Sequence, residues 1–160
     1  MKIQTGYLYH IKDEFFDKIN EDNLMINHKN NHSRPSYLAI KDKNILWFIP
    51  LSSKIDKYKD IVDKKNQKYG ECKTILIREI SGRKQVILIQ NAFPTLEKYV
   101  KSIHEINGKP VKVSKALEKD ITNSLKHMLS LKEKGLNLFF VDIDKINDKM
   151  LKEINEQVYS

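Results

Sequence analysis

One cysteine, five glycines, four prolines, one tryptophan and three arginines occur in the 160 residues. A lone Cys72 permits no internal disulfide and favours a reducing, cytoplasmic setting. The few glycines supply no G-x-G-x-x-G, no Walker loop and no G-x-S-x-G, which excludes the usual nucleotide cradles and the esterase nucleophile elbow. No stretch approaches the roughly 18 consecutive apolar residues of a membrane span, and MKIQTGYLYHIKDEFF holds no apolar core of a signal peptide. No membrane partner is expected. Metal ligands are equally sparse. His28 and His32 have a helical spacing, but Lys29-Asn30-Asn31 between them does not favour a helix and brings no glutamate. Asp142 and Asp144 sit where a strand should give way to a helix, so capping and solvent account for them. The expectation is no metal and no cofactor.

What is abundant is positive charge, 29 lysines and arginines against 21 acidic residues. An AT-rich genome raises lysine everywhere, so its distribution decides the matter. Residues 1–40 carry 5 basic and 5 acidic side chains and residues 114–160 carry 8 and 8, whereas residues 41–73 carry 9 and 5 and residues 74–113 carry 7 and 3. The surplus is confined to the middle of the chain, as a surface for a polyanion requires.

The length suits one domain over residues 1–160. Residues 3–11 alternate loosely enough for a strand, residues 13–19 suit a short helix, and residues 20–34 form a long polar loop. Runs 35–41 and 45–51 flank Asp42-Lys43-Asn44 as a hairpin, and runs 72–80 and 85–91 flank Ser81-Gly82-Arg83-Lys84 as a second one. Between them, Ile55, Tyr58, Ile61 and Val62 set the helical spacing of residues 55–67, with lysines opposite. Ser114 begins a helix with an apolar stripe of Leu117, Ile121, Leu125, Met128 and Leu129, ended by Gly135. Residues 136–143 (LNLFFVDI) read as a buried strand, and Asp144 as the cap of a last helix through Ile154. The pattern predicts an α+β fold, a compact, mostly antiparallel and barrel-like sheet with packed helices.

The segment WFIPLSSKIDKY (residues 47–58) concentrates the possible chemistry. Pro50 is expected to help end the pairing of an apolar strand, which then delivers Ser52, Ser53 and Lys54. Hairpin geometry brings the segment entering the first strand, His32-Ser33-Arg34, to the same end. Arg34 offers a fork for a phosphate, the serines offer hydroxyl donors, Lys54 stabilises developing negative charge, and His32 is suited to exchanging a proton. These groups suffice for RNA cleavage in which the 2′-hydroxyl attacks phosphorus and leaves a cyclic phosphate. The plainer reading makes Ser52-Ser53 a loop cap and pairs Arg34 with a surface carboxylate. Tyr37, Tyr58 and Tyr69 lie among the basic residues and are candidates for stacking on bases.

Arg34-Pro35, the block WFIPLSSK with Lys57-Tyr58 behind it, and LIQNAFP (residues 88–94) followed by Tyr99-Val100 resemble the toxins of type III toxin-antitoxin systems, the ToxN, AbiQ and CptN group and above all its CptN branch. The resemblance implies a fold like that of the MazF and Kid toxins. It also implies a metal-free endoribonuclease that cuts target mRNA. A small, repeat-encoded pseudoknot RNA would hold it inactive, be processed by it, and join it in a closed toxin–RNA oligomer. It places Arg34 at a basic catalytic position, Ser52 and Ser53 at a hydroxyl pair, and Lys54 or Lys57 at the lysine that follows. Lys57, Tyr58, Lys59, Lys64, Lys65, Tyr37, Gln90 and Asn91 are the expected RNA contacts. A proline that follows the hydroxyl pair in ToxN-like members is replaced here by Lys54, and the N-terminal tyrosine of that site has no single match in this sequence, with Tyr7, Tyr9 and Phe15 all near it. Two rival readings remain, a non-catalytic RNA-binding module and a MazF-like ribonuclease with a protein antitoxin.

Overall fold

The computed structural model describes residues 2–21, 23–25, 27–29 and 32–159, with the backbone alone at 28, 29, 32, 158 and 159. In chain order come β1 (Leu8–Ile11), α1 (Asp13–Ile19), β2 (His28–Lys29), β3 (His32–Ser33), β4 (Ser36–Asp42), β5 (Ile45–Ser52), α2 (Ile55–Tyr69), β6 (Leu76–Ile80) and β7 (Arg83–Ile87). β8 (Phe93–Thr95), β9 (Val100–Ile103), β10 (Glu105–Ile106), β11 (Lys109–Pro110), α3 (Lys115–Glu133) and α4 (Ile143–Tyr159) complete it. Among the described residues no helix is long and apolar enough to cross a membrane.

The main sheet runs β6-β7-β5-β4-β1-β9, with β8 also on β5, and its pairings are antiparallel. Its outer strands do not pair with each other among the described residues, so the barrel stays open. β5 is the spine. One of its edges runs along β4, while the other pairs Leu46–Phe48 with β8 and Leu51–Ser52 with β7. Pro50 sits where that second edge changes partner, a place that needs no N–H, so the strand continues past it to Ser52. The expectation that Pro50 helps end the pairing is corrected accordingly.

Tyr9, Phe15, Phe48 and Phe93 form an aromatic centre, with Tyr9 edge-on to Phe48 and Phe93 stacked between Phe48 and Phe15. The apolar stripe of α3 (Leu117, Ile121, Leu125, Met128) is buried beside β4, and Ser114 caps that helix by accepting from the Leu117 amide at 3.2 Å. Gly135, at φ +98, lets the chain leave it. α2 covers β7 through a separate cluster of Tyr58, Ile75, Val86 and Leu88.

Two sequence expectations are corrected in the last third. Residues 136–143 form no strand; Phe139, Val141 and Ile143 turn inward and Phe140 and Asp142 outward, but the segment has no ladder partner among the described residues. It is held instead by single bonds, from the Phe140 amide to the Gln90 carbonyl at 2.8 Å and from the Phe139 amide to Asn137 Oδ1 at 3.0 Å. The cap of α4 is Asp142, whose Oδ1 accepts from the Lys145 amide at 3.1 Å, while Asp144 pairs with Lys132 at 2.6 Å.

α4 is fastened by Glu153, whose Oε1 accepts from Lys18 Nζ at 2.7 Å and from the Tyr99 hydroxyl at 2.5 Å and pairs with Lys98 Nζ at 3.1 Å. Burial alone would raise its pKa, but these three partners together hold it below the usual carboxylate range. A carboxylate depressed on folding adds stability above its unfolded pKa, near 4.3, and that stability is lost as pH falls through the folded value. Glu153→Gln is expected to cost about 1 to 2 kcal/mol at pH 7, the half-exposed lysines limiting the loss. It should cost progressively less in melts taken below about pH 4. A variant as stable as the parent at pH 7 would remove the anchor.

Candidate nucleic-acid site at the end of the central hairpin

The two segments flanking the hairpin meet. The Leu51 amide donates to the Pro35 carbonyl at 3.3 Å, and Arg34 Nη1 donates to the Leu51 carbonyl at 2.6 Å. The guanidinium is half-buried. Desolvation lowers its pKa, and the neighbouring Tyr58 counters this. Its position is over-determined, since its own amide is bonded to the Asn27 carbonyl.

On the other segment the two serines differ. Ser52 is buried and its Oγ accepts from the Lys54 amide at 3.2 Å, which turns the chain from β5 into α2. Its hydroxyl is thus committed to the turn that the plainer reading anticipated. Ser53 and Lys54 are exposed. Lys54 stands at the N-cap of α2 without a side-chain cap; the Ile55 amide is spent on the Ser53 carbonyl at 2.9 Å, which leaves the Asp56 and Lys57 amides of the first turn beside the exposed Ser53 and Lys54. A hydroxyl, an ammonium and helix-end amides beside a half-buried guanidinium suit a phosphodiester with developing negative charge.

Several expected RNA contacts lie elsewhere. Tyr37 is fully buried, with its hydroxyl lacking a hydrogen-bond partner among the described residues, and burial raises its pKa. Tyr58 is buried under Lys57, whose Nζ lies 5.1 Å from the ring centroid. Neither ring can take a base, because each fills the core. Gln90 and Asn91 are buried in a 3₁₀ turn after β7, where the Gln90 backbone serves Thr74 and Phe140. Lys65 points inward, donating to Thr74 Oγ1 at 3.1 Å and Gln90 Oε1 at 3.5 Å. These five assignments are corrected. Lys57, Lys59 and Lys64 are exposed, with Lys64 paired to Asp60 at 3.1 Å. Of the three tyrosines only Tyr69 offers its ring, 69% exposed with Lys68 Nζ 5.1 Å from its centroid. Among the matches for an N-terminal tyrosine, Tyr9 and Phe15 are buried and Tyr7 is half-buried under Lys112. The His32 side chain, expected to exchange a proton, lies outside the described residues.

Two residues of this region were not legible in sequence. His10 on β1 and His104 just after β9 are bonded Nε2 to Nδ1 at 2.8 Å, and Ser33 Oγ is bonded to His10 Nδ1. Burial first, then His104 and Lys101, push the His10 pKa down to about 4, and burial lowers that of His104. Both shifts favour the neutral imidazole. The histidines are 94 residues apart, so no local spacing signals them; only the pairing of β1 with β9 does.

The sequence matches no protein-family model and no curated protein. The fold does match solved structures. AbiQ, a lactococcal anti-phage endoribonuclease belonging to the type III toxin-antitoxin system, superimposes with a TM-score of 0.74 at 16% identity, over 95% of this chain and 99% of its own. A structure from work on bacterial type III systems, concerned with selective toxin inhibition by a non-coding RNA pseudoknot, superimposes with a TM-score of 0.68 at 18% identity, over 94% and 98%. At such identities the likeness shows a shared fold along nearly the whole chain.

Proposed function

We propose that this protein is a type III toxin, an endoribonuclease held inactive by a small pseudoknotted RNA. The observation that carries the reading is the cationic and hydroxyl cluster of Arg34, Ser53 and Lys54. It stands on a fold shared from end to end with AbiQ. In the proposed reaction Arg34 and the Asp56 and Lys57 amides at the start of α2 hold the scissile phosphate. The substrate 2′-hydroxyl attacks phosphorus, the 5′ oxygen departs, and the product ends in a 2′,3′-cyclic phosphate. Ser53 and Lys54 stabilise the charge that builds on the non-bridging oxygens. No metal enters these steps. The antitoxin RNA would occupy the same cationic surface, be trimmed by the enzyme and close with it into a toxin–RNA oligomer.

The purified protein should cut a mixed-sequence RNA in EDTA, leaving cyclic phosphate ends that block 3′ ligation until they are opened and removed. Cutting that needs added Mg²⁺, or tight RNA binding with no cutting, would overturn the reading. Tandem short repeats upstream of the gene, able to suppress its toxicity as a transcript alone, are expected; suppression by a small neighbouring open reading frame would point to a protein antitoxin.

A further inference from the structure

We propose that Ser33, His10 and His104 form a proton relay for the strand-end site, in which the Ser33 hydroxyl takes the proton of the attacking 2′-hydroxyl while passing its own to His10. This rests on the ribonuclease reading above.

The geometry has three parts. Ser33 directly precedes Arg34, whose guanidinium is bonded to the Leu51 carbonyl of β5, while the Ser33 hydroxyl is bonded to His10 of β1 on the other side of β4. Ser33 Oγ is bonded to His10 Nδ1, and His10 Nε2 to His104 Nδ1 at 2.8 Å, with the ring planes 67° apart. The relay therefore starts at a part-exposed hydroxyl one residue before Arg34 and continues through two half-buried rings. That is the order of a hydroxyl, a base and the group that orients the base.

Two neutral imidazoles admit two consistent tautomer pairs. In the one assigned here, His10 Nδ1 is bare toward Ser33 and Nε2–H donates to His104 Nδ1, so His104 fixes the tautomer in which His10 can accept a proton. Among the described residues, the charged and titratable groups facing His10 are Lys101 on β9 and His104 beyond it, and Lys101, together with His104 once that ring is itself protonated, opposes a cationic His10. A proton accepted by His10 is consequently returned quickly. The balance of the step is complete. The O2′–P bond forms, and the P–O5′ bond breaks with its electron pair leaving on the 5′ oxygen. That oxygen takes a proton from water, and the His10 imidazolium returns one to water.

The test is single-turnover cleavage of a mixed-sequence RNA across pH 3.5 to 8 by the parent, Ser33→Ala, His10→Ala, His10→Gln and His104→Ala. Ser33→Ala and both His10 variants should lose about 10²-fold or more at pH 7, with RNA affinity retained. His10→Gln keeps a hydrogen-bonding side chain without a base, so it decides the matter if His10→Ala misfolds. Imidazole should restore part of the His10→Ala rate. In His104→Ala, His10 loses a neighbour that disfavours its cation. The acid limb of the rate profile should then move up from about pH 4 toward the ordinary histidine value. A parent that cuts RNA while Ser33→Ala and His10→Gln keep pace would overturn the relay and leave the ribonuclease reading standing. An unmoved acid limb in His104→Ala would do the same, and a parent that cuts no RNA would remove both.

Discussion

Ser53→Ala is expected to lower RNA cleavage by about 10²-fold or more and to abolish growth inhibition, whereas Ser52→Ala, one residue earlier, should cut RNA at close to the parent rate. The two hydroxyls are chemically identical but differently committed. Ser52 is buried with its Oγ on the Lys54 amide, so its loss leaves that amide short of an acceptor and costs about 1 kcal/mol of stability. Ser53 is exposed at the uncapped start of α2, where a hydroxyl can meet a phosphate oxygen. Arg34 should behave like Ser53. Arg34→Ala removes both the cation and the donor to the Leu51 carbonyl, while Arg34→Lys keeps the charge without the fork and should retain partial activity. Cleavage rates set against melting temperatures for these four variants separate chemistry from folding. If Ser52→Ala proves the slower enzyme at unchanged stability, the hydroxyl roles are reversed.

The contrast shows which parts of the molecule the sequence made visible. The β4–β5 hairpin follows from two apolar runs around a three-residue polar turn. Once it exists, residues just outside its two ends must be neighbours, so the meeting of Arg34 with Leu51 needed only local information. The α3 cap at Ser114 is local in the same way. What failed depended on the other side of an interaction. The apolar run of residues 136–143 reads as a buried strand, yet such a run records only that the segment meets the core; whether a ladder forms depends on a partner elsewhere, and here none is present among the described residues. Tyr37 and Tyr58 stand among lysines in sequence, but the face of the element they occupy turns them inward. The His10–His104 pair joins residues 94 apart in the chain and became visible only with the β1–β9 register.

That same dependence on faces sharpens where the RNA should lie. Lys57, Lys64 and Lys68 are spaced at i, i+7 and i+11, which places them on one stripe of α2, while Asp56, Asp60 and Asp63 gather on the adjoining stripe. The stripe begins beside Ser53 and Lys54 and ends beside the exposed ring of Tyr69, a cationic track from the proposed cleavage site to a stacking platform. Each lysine that neutralises a phosphate on a single strand contributes about −0.7 to the log–log dependence of affinity on salt. Replacing Lys57, Lys64 and Lys68 together with glutamine should therefore flatten that slope by up to about two units, and Tyr69→Ala should weaken binding by about 1 to 3 kcal/mol without changing it. Replacing Lys115, Lys119 and Lys126 on α3 removes as many charges from the electrically balanced C-terminal third and should leave the slope nearly unchanged. The measurement is a titration of the Ser53→Ala protein with the transcript of the upstream repeats at several salt concentrations. A larger loss of slope in the α3 variant would place the RNA on α3 rather than on α2, and the cleavage site would have to be sought again.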